Sequence, residues 1–381
     1  MHVRLVPGRR LLASVLGLAV LLALALPAAA VFARSAAGQP TPAAQGFYQQ
    51  TNLVSDIAGV AKFTDAHLVN PWGLVHGPST PWWVSDNGTG VSTLYDGHGK
   101  AVPLVVTIPP PAGSPAGTTA APTGVVFNGG SGFVVSENGK SGPSLFIFVT
   151  EDGTIAGWNP NVDLNKAVLA VDHSKVGAGA VYKGLAINTS GTLIYATNFR
   201  FGTVDVFNAN FHQVSLAGSF KDPNLPQGYA PFGIQNIGGN LYVTYAKQNA
   251  QKHDDVAGPG HGFVDVYDAN GNLIHRLISR GSLNSPWGLA LAPANFGKFS
   301  NALLVGNFGD GRINAFDPNS GASLGSLKNS RGVAIQIDGL WALAFGNGNA
   351  AGQTNELFFT AGIGGEAHGL FGKIQHENTN N

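Results

Sequence analysis

Three features of this 381-residue sequence predict an all-β chain, a six-bladed β-propeller of four-stranded antiparallel blades. The first is a segment that recurs six times: "NPWGLVHG", "APTGVVFN", "VYKGLAIN", "APFGIQNI", "SPWGLALA" and "GLWALAFG". Its small residue falls at Gly73, Gly124, Gly184, Gly233, Gly288 and Ala342, at spacings of 51, 60, 49, 55 and 54 residues. A period of this size marks stacked supersecondary units. The second feature is the same series of short apolar runs after each anchor. The third is a spare strand before the first anchor, matched by a sixth unit that stops one strand short.

Each anchor opens a short apolar strand. A second strand follows, as "WWVSD", "FVVSE", "IYATN", "LYVTY", "LLVGN" and "LFFTA". The third reads "VSTLYD", "SLFIFV", "TVDVFN", "FVDVYD", "RINAFD" and "HGLFGKI". Several run into turns such as "DGHGK" and "DANGN", which are hairpin signals. A weaker fourth strand, for example "NLIHRLI", completes the unit. Apolar alternation in short runs bounded by Gly, Asn and Asp indicates strands rather than helices. The spare strand "FYQQTNLVSD" at 47–56 is expected to complete the sixth blade and cover its edge. A seventh blade would need a degenerate copy within 101–122, a short stretch rich in Pro and Gly.

Composition agrees. With 53 Gly and 22 Pro but only 11% charged residues, the chain suits tight turns and short strands. The formal net charge is +0 and no basic block occurs, which argues against a nucleic-acid partner. There is no cysteine, so disulfides and thiolate chemistry are excluded. Arg4, Arg9 and Arg10 precede "LLASVLGLAVLLALALPAAAVFA", the pattern of a cleaved export signal over 1–33. An uncleaved anchor is the alternative, and "GRRLLAS" also permits a twin-arginine route. The expected organisation is signal 1–33, flexible linker 34–46, propeller 47–376 and a disordered tail 377–381. A secreted, extracellular or periplasmic monomer follows as the expectation, with no membrane span once the signal is removed.

The phrases "PWGL…WWVSDNGTGVSTLYDGHGK" and "FVDVYDANGNLI" resemble NHL-type propeller repeats. "TNLVSD…LVNPWGL" and "YAKQNAQKHDDVAGPGHGFVDVYDANG" are similar to a family of secreted bacterial proteins of uncharacterised function. The resemblance spans about 47–376 and implies the fold and export, but no activity. The Gly-His and Trp-Asp signatures of WD40 repeats are absent.

Two rings of residues are expected around one channel mouth, because antiparallel pairing sets the start of each first strand beside the end of the second. The residue before each anchor is Trp72, Thr123, Lys183, Phe232, Trp287 or Trp341. These offer a stacking platform with one cation, or a plug for the axis. The second-strand ends are Asp86, Glu137, Asn198, Tyr245, Asn307 and Ala361. Tyr245 joins the ligand-binding set. Asp86, Glu137, Asn198 and Asn307 offer oxygen ligands suited to Ca²⁺, or caps for the loops that follow them. In ligand type and fold the second ring resembles propeller lactonases, with no matched motif. The insertion "AKQNAQKHDDVAGPGHG" gathers Lys252, His253, Asp254, Asp255 and His261, which could bind a metal, close over the mouth or remain solvated. No HExxH or P-loop motif occurs. The leading expectation is therefore a binding or scaffold module that takes a small ligand, polysaccharide or protein at one channel mouth. The alternative is a calcium-assisted hydrolase or lyase with its site in the channel.

Overall fold

A computed structural model describes residues 46–378. The signal 1–33, all of the linker but Gly46, and the tail beyond 378 lie outside these residues. Six antiparallel sheets of at least four strands stand around one axis. From the innermost strand outward, blade 1 is Pro71–Val75, Trp82–Asp86, Val91–Tyr95 and Ala101–Thr107. Blade 2 is Pro122–Phe127, Phe146–Thr150, Thr154–Trp158 and Val168–Asp172. Blade 3 is Tyr182–Ile187, Leu193–Asn198, Thr203–Asn208 and the short Gln213–Val214. Blade 4 is Tyr229–Ile237, Asn240–Lys247, Phe263–Tyr267 and Leu273–Ser279. Blade 5 is Pro286–Leu291, Leu303–Asn307, Ile313–Phe316 and Ser323–Ser326. Blade 6 is Leu340–Phe345, Leu357–Ala361 and Leu370–Glu377, closed by Phe47–Ser55.

That closing strand pairs antiparallel with the last one, from Phe47 opposite Glu377 to Ser55 opposite Leu370. The two-residue strand Phe63–Thr64 adds a parallel edge outside it. Among the described residues no helix is long and apolar enough to cross a membrane. The regular helix there is one 3₁₀ turn at Gly297–Phe299.

Blade 2 departs from the expected strand assignment. "FVVSE" is not its second strand. Val134–Glu137 pairs with Lys140–Pro143 as a separate hairpin, inserted between the first and second strands. Asn138 and Gly139 both have positive φ, 51° and 77°, as a tight two-residue hairpin turn requires. "SLFIFV" then supplies the second strand, and "TIAGW" the third. The burial separates the two cases: Phe146–Thr150 is buried throughout, whereas Val134 is 49% exposed.

The anchor glycines have a close-approach role. A Cβ on Gly73, Gly124, Gly233 or Gly288 would collide with the backbone of the next blade's first strand. A larger residue there would hold neighbouring blades apart. Threonines on the second strands stitch the same contact. The Thr197 hydroxyl accepts from the Gly184 N–H (2.7 Å) and donates to the Phe232 carbonyl of the next blade (2.7 Å). Thr360 repeats this between Ala342 and Trp72, closing the ring from blade 6 to blade 1.

Candidate functional site

Every first strand carries a register shift at the anchor. Pro71 faces Asp86 and Leu74 faces Val84, leaving Trp72 and Gly73 bulged. Equivalent shifts fall in blades 2 to 6. A bulge re-aims a side chain. Trp72, Phe232, Trp287 and Trp341 consequently leave the blade faces and join one buried cluster.

Within it the rings cover one another. Trp72 stacks on Trp341 at 3.4 Å between centroids, and Phe308 stacks against Trp341 at 4.1 Å. Trp287 stands edge-on to both tryptophans, at 6.2 and 5.9 Å, and Phe232 edge-on to Trp341 at 5.9 Å. Contacts of this geometry contribute roughly 0.5–1.5 kcal/mol each beyond burial. The four rings are at most 9% exposed, so they form a plug rather than an open platform. Thr123 is buried and donates to the Tyr182 carbonyl of blade 3 at 2.8 Å.

Lys183 is the cation of that ring. It is 2% exposed, and its ammonium lies 5.0 Å from the Trp72 ring centroid. It pairs with Glu151, the residue after blade 2's second strand, and lies 3.6 Å from Asp254 of the insertion. A hydrogen-bonded belt continues from there around the mouth. Asn87 donates to Glu151 (2.9 Å), Asn70 donates to Asn87 (3.3 Å) and to Glu366 (2.8 Å), and Trp341 Nε1 donates to Asn70 (3.1 Å). The insertion is tied down on both sides, by Gln248 to the Phe199 carbonyl and by Gly258 N–H to Asn284. Lys252 and Asp254 of this loop are exposed, and Asp254 reaches Lys183.

The charges are tuned accordingly. The His253 hydrogen bond, at 2.7 Å, is the main cause that lowers the Asp254 carboxyl to about 2. Burial raises Asp255 and Glu366 above the usual carboxylate range, and nearby acids add to this while Lys183 opposes it. Glu151, His253 and Asp254 place ligand atoms within 4.8 Å of one another, a spacing that would fit a metal ion. Lys183 already supplies these acids with a cation.

The oxygen ring expected to hold calcium is not assembled. Glu137 sits in the inserted hairpin at the side of blade 2 and pairs with Lys166 at 3.2 Å. The position it was expected to fill belongs to Thr150, opposite Pro122. Asp86 Oδ2 accepts from the Thr93 N–H and hydroxyl within its own blade. Burial holds the Asp86 carboxyl well above its ordinary range, and its second oxygen is buried without a partner. Asn198 donates to Asp205, and Asn307 donates to the Ser282 carbonyl and to Asp310. Tyr245 belongs to the interior of blade 4, its hydroxyl 2.7 Å from that of Tyr267, and does not reach the plug.

The open space lies at the opposite ends of the same first strands. A basin of about 960 Å³ is lined by segments of blades 1 to 4, including His76, Phe127, Asn188 and Asn236. A second, of about 360 Å³, reaches blades 5 and 6 and shares Leu74, Val75, His76, Gln235 and Asn236 with the first. Between these basins and the plug lies a chamber of about 30 Å³, bounded by Gln235 and Trp287 among others. Sequence reasoning missed this mouth because it followed the tryptophans. The signal it passed over was the residue two places after each anchor: Val75, Val126, Ala186, Gln235, Ala290 and Ala344.

No protein-family model matches the chain, and the NHL-type likeness rests on the quoted repeats alone. One uncharacterised protein of Acanthamoeba polyphaga mimivirus is 34% identical over 328 residues, covering 84% of this chain and 78% of its own. A second from the same virus is 33% identical over 327 residues, covering 84% of each. These relatives are viral, not bacterial. Among solved structures, the soluble aldose sugar dehydrogenase of Escherichia coli in its apo form superposes with a TM-score of 0.52. It is 12% identical, and the match covers 87% of this chain and all (100%) of that one. Virginiamycin B lyase of Staphylococcus aureus gives a TM-score of 0.42 at 12% identity, over 86% and 98% of the two chains. Likeness at this level speaks for the propeller fold alone.

Proposed function

Because the chain belongs to one family with these two mimivirus proteins, which are themselves uncharacterised, we propose from its own geometry that it is a ligand-binding module. Its seat is the open mouth formed by the C-terminal ends of the first strands. The observation that carries this reading is the contrast in accessibility. A concavity of about 960 Å³ opens at one mouth, within the usual size of small-molecule sites. At the other, the aromatic ring and Lys183 are buried under their own contacts. The proposal also includes export to an extracellular or periplasmic location, on the strength of the arginine-flanked apolar run at 11–33.

A thermal-shift screen of small molecules and soluble polysaccharides tests the reading, since a ligand specific for the folded state raises its apparent stability. Any hit is then titrated against Gln235→Trp, which fills the space between the basins. The expected result is loss of binding in the filled variant. A ligand retained at full affinity would place the seat elsewhere.

A further inference from the structure

The residues that line the open mouth form an uncharged surface. The larger basin contains no Asp, Glu, Lys or Arg, and neither does the smaller one beside it. His76 is the titratable side chain they share, its ring nitrogens 3.0 Å from the Gly77 carbonyl and 2.9 Å from that of Phe345, of which the neutral ring donates to one at a time. A charged ligand entering here would lose hydration without meeting a counter-charge, a cost of several kcal/mol per ion. The surface is not apolar either. Asn188, Thr189, Ser190, Gln235 and Asn236 bring amides and hydroxyls. Gly129, Gly130, Gly191, Gly238 and Gly239 leave stretches of backbone uncovered by side chains. Half-buried Phe127 and Phe345 add an aromatic ring to each basin.

Gln235 is the distinctive residue. At its place in the repeat the other five blades carry Val or Ala, the residues the inner wall accommodates. Gln235 lines both basins and the small chamber between them and the plug. It is exposed, and its carboxamide makes no hydrogen bond with another described side chain or backbone group. Asn236, by contrast, is committed to a turn, accepting from the Gly239 N–H and donating to the Ile187 carbonyl. A free amide, donor and acceptor at once, therefore stands where the two basins meet.

On the reading of this mouth as a binding seat, we infer that its ligand is a neutral, polyhydroxylated molecule, an uncharged oligosaccharide that spans both basins. Sugar hydroxyls suit amides and backbone groups because each is donor and acceptor, and C–H faces of the ring suit Phe127 and Phe345. The two-lobed space suits several linked rings better than one.

The test uses the full chain and calorimetric titration with neutral hexose and N-acetylhexosamine tetrasaccharides. Sulfated and uronate tetrasaccharides of the same length serve as the charged arm. The expected result is binding of a neutral probe. Gln235→Ala should weaken it about tenfold, the effect of one lost hydrogen bond of about 1.4 kcal/mol. Gln235→Trp should abolish it, and Asp254→Asn at the other mouth should leave it unchanged. Thermal unfolding of each variant separates lost binding from lost folding. If no neutral probe binds, or the charged probes bind more tightly, the inference fails while the seat stands. If a neutral probe binds equally to Gln235→Trp, the seat itself is refuted.

Discussion

At the N-terminal ends of the six first strands, bulges turn three tryptophans, a phenylalanine and a lysine onto the axis. A few residues further along the same strands, the wall is Val, Ala and one glutamine, and the channel opens. One mouth is dense with charge: Lys183 stands against Glu151 and Asp254, with Asn70, Asn87 and Glu366 linked beside them, while Trp72 Nε1 and Asp255 Oδ2 are buried without a partner. The other has no charged lining and an unmatched amide. Side chains already paired with one another have less capacity left for a visitor. The difference teaches that chemical richness and availability are separate properties of a site.

The comparison can be broken from the closed side first. Lys183→Met should cost about 3–5 kcal/mol, because it strands the largely buried Glu151 carboxylate without its cation. Urea unfolding at neutral pH would show it, and adding Glu151→Gln should restore much of the loss. A change of urea midpoint no larger than that of a surface variant would contradict the account of the closed mouth. Next in size, Gly233→Ala should cost about 1–3 kcal/mol, because its Cβ would collide with the Trp287 carbonyl of blade 5. A drop in Tm with normal binding at the open mouth would sharpen the view that the anchors are architectural.

A smaller effect concerns pH. The Asp254 carboxyl is lowered from 3.8 to about 2 in the fold, chiefly by His253. Its contribution is therefore fully present above pH 3.8 and lost as pH falls toward 2. Carboxylate titration followed by NMR should find this group ionised at pH 3, and its protonation near pH 4 would refute the pairing. The smallest effect is expected at the open side. Gln235→Ala should change stability by less than about 0.5 kcal/mol, since its side chain supports nothing. A larger loss in denaturant unfolding would make Gln235 a structural residue and remove the contrast between the mouths.

The blades were legible because the repeat is local: each anchor, strand and Asn- or Asp-bearing turn writes its own signal within about fifty residues. The closing strand was legible by subtraction. Blade 2 misled because "FVVSENGK" carries a strong hairpin turn of its own, and local signals do not tell an insertion from a blade strand. That misalignment put Glu137 into the calcium set and hid Glu151, which sits one residue past the true strand end. The ring before the anchors was read as a group of side chains, a platform or a plug. Its closure into a plug depends on Trp72 meeting Trp287 and Trp341, residues over 200 positions away, which no spacing reveals. Gln235 was visible as the odd member of an aliphatic column, but such a column draws attention only once it is known to line a cavity.

The closing strand Phe47–Ser55 has a consequence for how the molecule comes into being. Ser55 bonds to the Gly369 carbonyl across 314 positions in sequence. During synthesis this early strand must wait, with an unpaired edge, until nearly every other blade strand has been made. Blades 1 to 5 complete themselves from neighbouring sequence, whereas blade 6 depends on the meeting of both ends. Loop-closure entropy grows only slowly with length, so the long wait adds little to the final free energy. Its effect is kinetic: ring closure is a late, slow event, and until then the open edges of blade 6 are the part of the molecule most exposed to aggregation.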